Sequence, residues 1–389
     1  MNILHVITGL DRGGAELMLA RLVRHHRQAG DYRHRIVSLG ALGSVGETLA
    51  AEGFSITALN MRGPLHLPGA VRRLSALIRR ERPDVVQCWM YHADLVGGLA
   101  ARLAGCRNVI WGVRVADIFP AMGVARSTLL VRRLCAALSR RLPSRIVYVA
   151  ESARRVHERL GYDGSKSIVI PNGYDFPTPP AAERFRKHRR RELALSDDGL
   201  LIGSAGRFSP QKGYRGLVQA AASLDARRSD ARYLLVGREV ERSNAELTGW
   251  LADHRVSDRF ELLGERSDLV EWLAAMDVFV LNSLCEGFPN VVAEAMSVAV
   301  PCIVTDVGDA ALLVGDTGIV IQPSDPEGLA AAMGQLAALA PEARRALGER
   351  ARARVEENFS MPVIVRRFEA LYEALVQPDA RANLASPSE

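Results

Sequence analysis

Two glutamates, Glu286 and Glu294, frame the turn that carries the most chemical information in this chain. The apolar run 278–281 predicts a buried strand and the segment 291–298 predicts a helix, so a loop containing Glu286 joins strand to helix. A loop of this kind presents free backbone N–H groups and the positive end of a helix dipole, which together bind phosphate. A nearby carboxylate can accept hydrogen bonds from vicinal hydroxyls, as an acid does on a nucleotide ribose. Diphosphate between two polyols is the shape of a nucleotide-sugar, and the segment predicts this ligand.

Two cations, Arg207 and Lys212, lie in a short segment bounded by Gly206 and Gly213, directly after the apolar run 200–205. The glycines allow close approach of the backbone, and the cations could neutralise a diphosphate leaving group. The alternative is a pair of solvated surface cations on a loop. The position of the segment, upstream of the two glutamates and at the end of another predicted strand, favours the diphosphate interpretation.

Apolar runs alternate with amphipathic stretches in two series, which predict the elements that must position these residues. The first series predicts strands at 3–8, 36–39, 56–61, 85–89, 109–113 and 146–149, with helices at 15–29, 68–82, 94–104, 125–141 and 152–160. The second predicts strands at 200–205, 233–236, 260–263, 278–281, 302–305 and 319–321. Strands that alternate with helices predict parallel sheets covered on both faces. The expected fold class is therefore α/β, with two Rossmann-like domains.

Pro and Gly cluster after a strand at 171–177, which predicts the boundary between the domains. We expect a first domain at 1–170, a second at 171–360, an amphipathic helix at 361–376 and a disordered tail at 377–389.

The composition indicates a soluble globular protein. The 389 residues suit two domains, and 48% hydrophobic with 24% charged residues is typical of that class. No apolar run reaches the length that a bilayer requires, and the start resembles a first strand more than a signal peptide. Five cysteines without C-x-x-C spacing favour a reducing compartment and argue against structural zinc. We therefore expect a cytoplasmic protein.

Taken together, the motifs resemble those of retaining glycosyltransferases of the two-domain GT-B type, most closely family 4. The segment with Glu286 and Glu294 resembles the family's Glu-x7-Glu motif, and 206–213 resembles its G-R-x-x-x-x-K-G signature. The segment 171–175 resembles the P-N-G-x-D hinge, and 13–16 resembles the G-G-x-E element. The resemblance covers nearly the whole chain. It implies two Rossmann-like domains facing across a cleft, with the last helix packed back on the first domain.

The resemblance also implies roles for particular residues. Arg207 and Lys212 would hold the donor diphosphate, Glu286 the hydroxyls of the transferred sugar, and Glu294 the ribose. The donor-binding set that it implies comprises Gly14, Asn172, Gly173, Gly206, Arg207, Lys212, Leu263, Gly264, Glu286, Gly287, Phe288, Pro289, Asn290 and Glu294. No Asp-x-Asp pair, which holds a metal in glycosyltransferases of the other fold, occurs in the chain. We therefore expect no cofactor and no metal.

The acceptor side departs from the family pattern. Many members place a histidine just past the fifth strand, where this chain has Trp111 and Arg114. His92, after the fourth strand, is an alternative catalytic candidate beside Glu286, Arg207 and Lys212. A structural histidine is an equally good explanation of it.

Arginines are concentrated in three segments of this chain, whose formal net charge is +6. The segment 122–145 contains no acidic residue, and leucines recur at helical spacing between its arginines, Arg126, Arg132, Arg133, Arg140, Arg141 and Arg145. A basic amphipathic helix predicts contact with an anionic membrane surface, and five arginines on the predicted helix at 68–82 support it. The alternative is a core helix with a solvated basic rim. A third run, 184–191, begins the second domain, and no nucleic-acid recognition motif accompanies any of them.

These observations predict a retaining glycosyltransferase that uses a nucleotide-diphosphate-sugar and a glycan or lipid-linked acceptor, at the inner face of the membrane. One alternative is a nucleotide-sugar epimerase of the same fold, which would need an acid/base set that the sequence does not supply. Another is a non-catalytic nucleotide-sugar-binding protein, against which the presence of both glutamates and both cations argues.

Overall fold

A computed structural model describes residues 1–115, 125–196, 199–225 and 231–377. Residues 378–389 of the predicted tail and residues 122–124 of the first arginine-rich segment lie outside the described residues. The described chain divides into two compact units: Tyr174–Ser360 forms the second, and the first contains Met1–Gly173 together with residues 361–377. The division falls three residues after the boundary predicted from the sequence, because residues 171–173 pack with the first unit.

The first unit is built on a parallel sheet of seven strands in the order β3-β2-β1-β4-β5-β6-β7, counted over the described residues. Its strands are β1 (Asn2–Ile7), β2 (Arg33–Ser38), β3 (Ser55–Ala58), β4 (Val85–Trp89), β5 (Val109–Val113), β6 (Arg145–Tyr148) and β7 (Ser167–Val169). Its helices are α1 (Gly14–Ala29), α2 (Gly43–Ala51), α3 (Leu67–Glu81), α4 (Tyr91–Leu103), α5 (Arg126–Leu138) and α6 (Glu151–Arg159). The central strands are buried along almost their whole length, as expected of a parallel sheet covered on both faces.

The second unit repeats this architecture with six parallel strands in the order β10-β9-β8-β11-β12-β13, again among the described residues. Its strands are β8 (Leu200–Ala205), β9 (Ala231–Val236), β10 (Phe260–Leu262), β11 (Val278–Leu281), β12 (Cys302–Thr305) and β13 (Ile319–Ile321). Its helices are α7 (Pro179–Glu192), α8 (Tyr214–Asp225), α9 (Ala245–Asp253), α10 (Leu269–Ala275), α11 (Asn290–Ser297), α12 (Ala310–Val314), α13 (Pro326–Ala338) and α14 (Pro341–Phe359).

The last described helix, α15 (Met361–Val376), belongs to the first unit. Phe368 and Tyr372 of α15 are buried in the core that also contains Trp89. The Tyr372 hydroxyl also donates to the side chain of Gln87 on β4. The α/β prediction with two Rossmann-like domains is therefore confirmed.

In both sheets the chain reverses its direction of winding at the centre. In the second unit β8 connects outward to β9, whereas β11, its neighbour on the other side, connects outward to β12. Ligands of open parallel sheets bind beyond the carboxyl ends of such central strands. The segments after β8 and β11 are therefore where a ligand is expected in this unit.

Candidate functional site

The two motifs of the second unit meet at this central point. Lys212 Nζ lies 2.5 Å from Glu286 Oε1, although the residues are far apart in the sequence. Ser283, which is fully buried, donates from Oγ to the same carboxylate oxygen at 2.7 Å. The Lys212 and Glu286 side chains remain 25% and 14% exposed, so a ligand can reach both. The structure thus supplies one cation and one carboxylate side by side, fixed by a buried hydroxyl.

Backbone contacts fix the two loops against one another. Asn282 Nδ2 donates to the carbonyl of Gly213 at 2.8 Å, and the Leu284 N–H donates to the carbonyl of Gln211 at 2.7 Å. Gly213 has φ +62, and a Cβ there would lie 2.1 Å from the carbonyl oxygen of Asn282. Only glycine fits this position without strain. Gly213, one of the two glycines that bound the segment 206–213, therefore allows the two loops to approach closely, as predicted from the sequence.

Arg207 is exposed and, among the described residues, makes no hydrogen bond or ion pair with protein groups. Its neighbour Gly206 packs against the stem of Lys212, since a Cβ on the glycine would lie 3.1 Å from Lys212 Cε. Arg207 and Lys212 therefore flank one short turn after β8. One cation is engaged by Glu286 and the other is available to an anion.

The segment 287–294 continues the site into α11. The Gly287 carbonyl accepts from the Asp309 N–H at 2.9 Å, and Asn290 begins the helix. Glu294, half-buried, lies one turn further along α11. Phe288 was assigned to donor binding from the motif. Its side chain is only 8% exposed and packs on Tyr174 and Phe359, so it stabilises the loop from inside the unit.

Leu263 and Gly264, after β10, adjoin the same region through Gly237. The Leu263 N–H donates to Leu235, and the Gly237 N–H donates to the Gly264 carbonyl at 2.8 Å. A Cβ on Gly237 would lie 1.9 Å from the Gly206 carbonyl oxygen, so this turn contacts the segment after β8. The structure therefore groups Leu263 and Gly264 with the loop that carries Arg207 and Lys212.

The candidate residues of the first unit lie at the carboxyl edge of its own sheet. Gly14 begins α1 and is exposed. Glu16 folds back over Gly13, and burial raises the pKa of its carboxyl. His92, in the first turn of α4, is half-buried, and its desolvation lowers the pKa of the imidazole. Met90, just before α4, has φ +77, a strained value for a non-glycine residue.

Asn172 and Gly173 belong to the first unit and are engaged by its side chains. The Arg114 guanidinium donates to the side-chain oxygen of Asn172, and from Nη1 to the Ile170 carbonyl at 3.1 Å. Its Cζ also lies 5.4 Å from the centroid of the Trp89 ring. The Gly173 carbonyl accepts from Arg21 at 3.0 Å. Arg114, which stands where the family pattern has a histidine, therefore orients the candidate residue Asn172.

The first unit contains a chain of three histidines that was not predicted from the sequence: His5 and His26 are buried, and His34 is half-buried. Trp89 Nε1, which can only donate, lies 3.2 Å from His5 Nδ1, so the His5 proton is on Nε2. That atom is 2.9 Å from His34 Nδ1, and His34 Nε2 is 3.0 Å from His26 Nδ1. The chain ends at His26 Nε2, 3.6 Å from Glu369 on α15. Burial lowers the pKa of His26 to about 4 and that of His34 to about 3, and it lowers the pKa of His5 well below its usual range. His5 lies in an apolar strand sequence, which gave no signal of this role.

The arginine-rich helices differ in what their side chains contact. On α5, the exposed side chains include Arg126, Arg133, Leu130 (58% exposed) and Leu134 (43% exposed). Arg140 and Arg141, just after the helix, are exposed too, whereas Arg132 is half-buried.

On α7, by contrast, three arginines of the run 184–191 form ion pairs within the second unit. Arg186 and Arg190 both contact Asp277, at 2.6 and 3.1 Å. Arg189 contacts Asp268 and Glu271 of the α10 region at 2.5 and 2.6 Å. Three of the six cations in this run therefore pair with acidic residues far away in the sequence, and Lys187 pairs with the nearby Glu183, which leaves Arg184 and Arg191 as its exposed arginines.

Within the described part of the chain, no group of three or more His, Cys, Asp or Glu side chains is arranged to hold a metal ion. None of the helices in that same part is both long and apolar enough to cross a membrane.

The comparisons with protein families match both halves of the chain. A model described as Glycosyltransferase Family 4 matches residues 12–176, and one described as Glycosyl transferases group 1 matches residues 199–338.

Among curated proteins, the chain is 29% identical over 258 residues to UDP-Gal:alpha-D-GlcNAc-diphosphoundecaprenol alpha-1,3-galactosyltransferase of Escherichia coli. It is 32% identical over 197 residues to N-acetyl-alpha-D-glucosaminyl L-malate synthase of Bacillus anthracis. The matches cover 65% and 50% of this chain and 66% and 51% of those proteins, slightly under two thirds of the first and about half of the second.

Among solved structures, Anabaena HepE in complex with UDP has a TM-score of 0.79 and 21% identity, with 95% of this chain and 98% of that chain covered. A glycosyltransferase from Rickettsia africae has a TM-score of 0.80 and 17% identity, with 96% and 98% covered. These likenesses show that the fold is shared.

Proposed function

The chain belongs to the family 4 and group 1 glycosyltransferases of the GT-B fold, and we propose that it transfers a sugar from a nucleotide-diphosphate-sugar to a glycan or lipid-linked acceptor. The observation that carries the proposal is the convergence of Arg207, Lys212 and Glu286 where β8 and β11 end. A diphosphate group needs cations and backbone N–H groups, and a sugar needs a carboxylate for its hydroxyls. Both kinds of group occur there, because Lys212 is hydrogen-bonded to Glu286 and Arg207 flanks the same turn.

In the proposed reaction each charged residue has a distinct role. Arg207 and Lys212 neutralise the diphosphate as the bond between the anomeric carbon and its oxygen breaks. Glu286 binds hydroxyls of the transferred sugar, and Glu294 binds the ribose. The acceptor oxygen forms the new bond on the same face, and its proton passes to the departing diphosphate, so the anomeric configuration is retained. Fixed cations and backbone dipoles make a metal unnecessary, and chelator should leave the rate unchanged.

A screen of donors tests the proposal. Each nucleotide-sugar is added to the purified protein, and the shift in unfolding temperature is measured, because a ligand stabilises the folded state by mass action. Release of nucleoside diphosphate is then measured with the best donor and membrane extract, and the anomer of the product is assigned by NMR. Release that depends on the extract supports transfer, whereas an epimerised donor without release, or binding without any turnover, would contradict it.

The two glutamates should differ in this assay. Glu294→Gln should mainly raise the dissociation constant of the donor, whereas Glu286→Gln should slow transfer and alter the choice of sugar. Unchanged donor affinity in Glu294→Gln would exclude the ribose role.

We also propose that the first unit docks on an anionic membrane surface, on the cytoplasmic side, through Arg126, Arg132, Arg133, Arg140 and Arg141. The exposed Leu130 and Leu134 support this, since apolar side chains among cations are typical of interfacial helices. The name of the Escherichia coli relative contains a lipid diphosphate, which supports a membrane-borne acceptor.

Sedimentation with vesicles tests the docking. The protein should bind vesicles containing anionic lipid and dissociate as salt rises, because exposed charges are screened within about 8 Å at physiological ionic strength. Changing the five arginines to glutamine should weaken binding by several kcal/mol, on the order of a thousandfold, at roughly 1 kcal/mol of attraction for each cation. Arg184→Gln with Arg191→Gln, two exposed arginines of α7, is the control for charge loss alone. Equal binding to neutral and anionic vesicles would exclude this docking.

A further inference from the structure

Tyr174, the first residue of the second unit, contacts the loop that carries Glu286. Its side chain is only 4% exposed, and its hydroxyl hydrogen-bonds to Asn290 Oδ1. Asn290 is the first residue of α11 and closes the loop that begins at Glu286. We propose that Tyr174 is a positioning residue for this loop and sets the affinity for the nucleotide. The proposal deepens the proposed function and rests on it.

The ring of Tyr174 adds a second contact with the same loop. It stacks on Phe288 with ring centroids 6.4 Å apart and an interplanar angle of 18°, and on Phe176 at 5.9 Å and 14°. Phe288 packs in turn against Phe359 at 5.3 Å. Aromatic pairs at these separations stabilise a contact beyond the area that they bury. The side of the loop that faces the interior is therefore formed by a cluster of aromatic rings.

Backbone contacts hold Tyr174 itself in place. Its N–H donates to the Phe359 carbonyl at 3.0 Å, and it forms a parallel bridge with Ser360. Tyr174 and Ser360 are the first and last residues of the second unit. The phenol is thus anchored where the chain enters and leaves this unit, on a backbone that does not belong to the loop it supports.

The opposite side of the loop is held separately. The Gly287 carbonyl accepts from Asp309, and Gly308, with φ +59, approaches so closely that a Cβ would lie 2.4 Å from that carbonyl oxygen. The backbone at Gly287 is therefore fixed by the segment after β12, whereas the start of α11 is held by Tyr174. Because Tyr174 holds the Asn290 side-chain amide, it also fixes the first turn of α11 and hence the direction in which the first backbone N–H groups of that helix point. A phosphate bound there would depend on that direction.

Burial distinguishes Tyr174 from a ligand-contacting residue. At 4% exposure it does not reach a donor, so removal of its hydroxyl should act through the loop alone. We expect Tyr174→Phe to keep the aromatic stacking and to lose only the hydrogen bond. The dissociation constant for UDP should then rise about 5- to 30-fold, the effect of losing one buried hydrogen bond to a polar group. The acceptor KM should stay unchanged.

Tyr233→Phe is the matched control. Tyr233 is also buried in the second unit, and its hydroxyl donates to the Ala221 carbonyl at 3.2 Å, away from the loop. UDP binding is measured by calorimetry, and amide hydrogen exchange is measured over residues 284–297. In Tyr174→Phe both the dissociation constant and the exchange rate of this segment should rise, and in Tyr233→Phe neither should change.

Asn290→Ala tests the hydrogen bond from its other end. The double variant Tyr174→Phe with Asn290→Ala should bind UDP no more weakly than Asn290→Ala alone. The proposal would be overturned if the two substitutions raised the dissociation constant for UDP independently, so that their fold-changes multiplied in the double variant. It would also be overturned if amide hydrogen exchange over residues 284–297 were as slow in Tyr174→Phe as in the wild type. Hydrogen exchange also needs no ligand. If the wild type binds neither UDP nor any other nucleotide, the proposed donor is wrong, whereas the exchange comparison still decides the role of Tyr174.

Discussion

The two units share a parallel sheet with the same central strand order, yet they place different groups where the winding reverses. In the second unit, Lys212, Glu286 and Arg207 converge there as accessible charges. In the first, His92 is half-buried at the equivalent edge, and the Arg114 guanidinium is engaged by Asn172 and the Ile170 carbonyl. The scaffold therefore sets where a site can form, and the loop residues decide which charges remain accessible there.

The arginine-rich helices show the same difference between the units. On α5, in the first unit, arginines lie exposed beside exposed leucines, whereas on α7, in the second, they pair with Asp277, Asp268 and Glu271. Similar runs of arginine thus either remain exposed at the surface or form ion pairs that stabilise the unit. The outcome depends on acidic residues about 80 to 90 positions away.

The largest effect should come from removing the partner of the α7 arginines. Asp277→Ala should lower the free energy of unfolding by about 4 kcal/mol, because it leaves the buried Arg190 without its carboxylate. Urea unfolding measures this. Asp316→Ala, which breaks an exposed pair with Arg350, should change it by less than about 0.5 kcal/mol. If the free energies of unfolding of the two variants were equal, the ion pairs of α7 would not stabilise the second unit more than an exposed pair does.

Charge removal in the second unit should affect turnover more than folding. Lys212→Ala or Arg207→Ala should lower kcat/KM by about 100-fold or more, since a preorganised cation at a leaving group contributes roughly 3 kcal/mol. Steady-state kinetics with the best donor measure it. Lys187→Ala, an exposed lysine of α7 paired with Glu183, is the control and should retain full activity. If Lys212→Ala and Arg207→Ala folded and kept near-normal activity, the charges that distinguish the second unit from the first would have no role in turnover.

The histidine chain should make the first unit sensitive to acid. Because the folded pKa values of His26 and His34 lie near 4 and 3, the unfolded chain binds protons that the folded chain does not between about pH 6.5 and pH 4. The free energy of unfolding should therefore be highest above about pH 7 and should fall between pH 7 and pH 5 by roughly 2 kcal/mol for each of these two histidines. Urea unfolding at several pH values measures the slope. His34→Gln should flatten it and the exposed His188→Gln should not, and equal slopes would show that the chain does not control acid stability.

The smallest effect on stability is expected on α5. Arg126→Gln with Arg133→Gln should change the unfolding free energy by less than about 0.5 kcal/mol, because these exposed side chains form no ion pair with the described residues. Thermal unfolding measures it. A loss comparable to that of Asp277→Ala would show that α5 and α7 do not differ as described.

The sequence alone predicted the fold class and most of the strands. The strands at 85–89, 200–205 and 278–281 occur with the predicted bounds, because each is a continuous apolar run that a parallel sheet buries on both faces. β2 begins at Arg33, three residues before its predicted start, since its polar first residues continue the pairing with β1 at the amino edge. A continuous apolar run is a local property of the sequence, so the residues of the run suffice to predict the strand.

The sequence also determined which residues are candidates for chemistry: both cations and both glutamates were identified from spacing and from the family resemblance. Only the tertiary structure decided how they are arranged, with Lys212 against Glu286, Phe288 turned inward and Tyr174 beneath Asn290. It also decided that three of the α7 arginines form ion pairs and that three histidines form one chain. Apart from the contact between His26 and His34, these contacts join residues distant in sequence, and their pairing depends on which elements are neighbours in the folded unit.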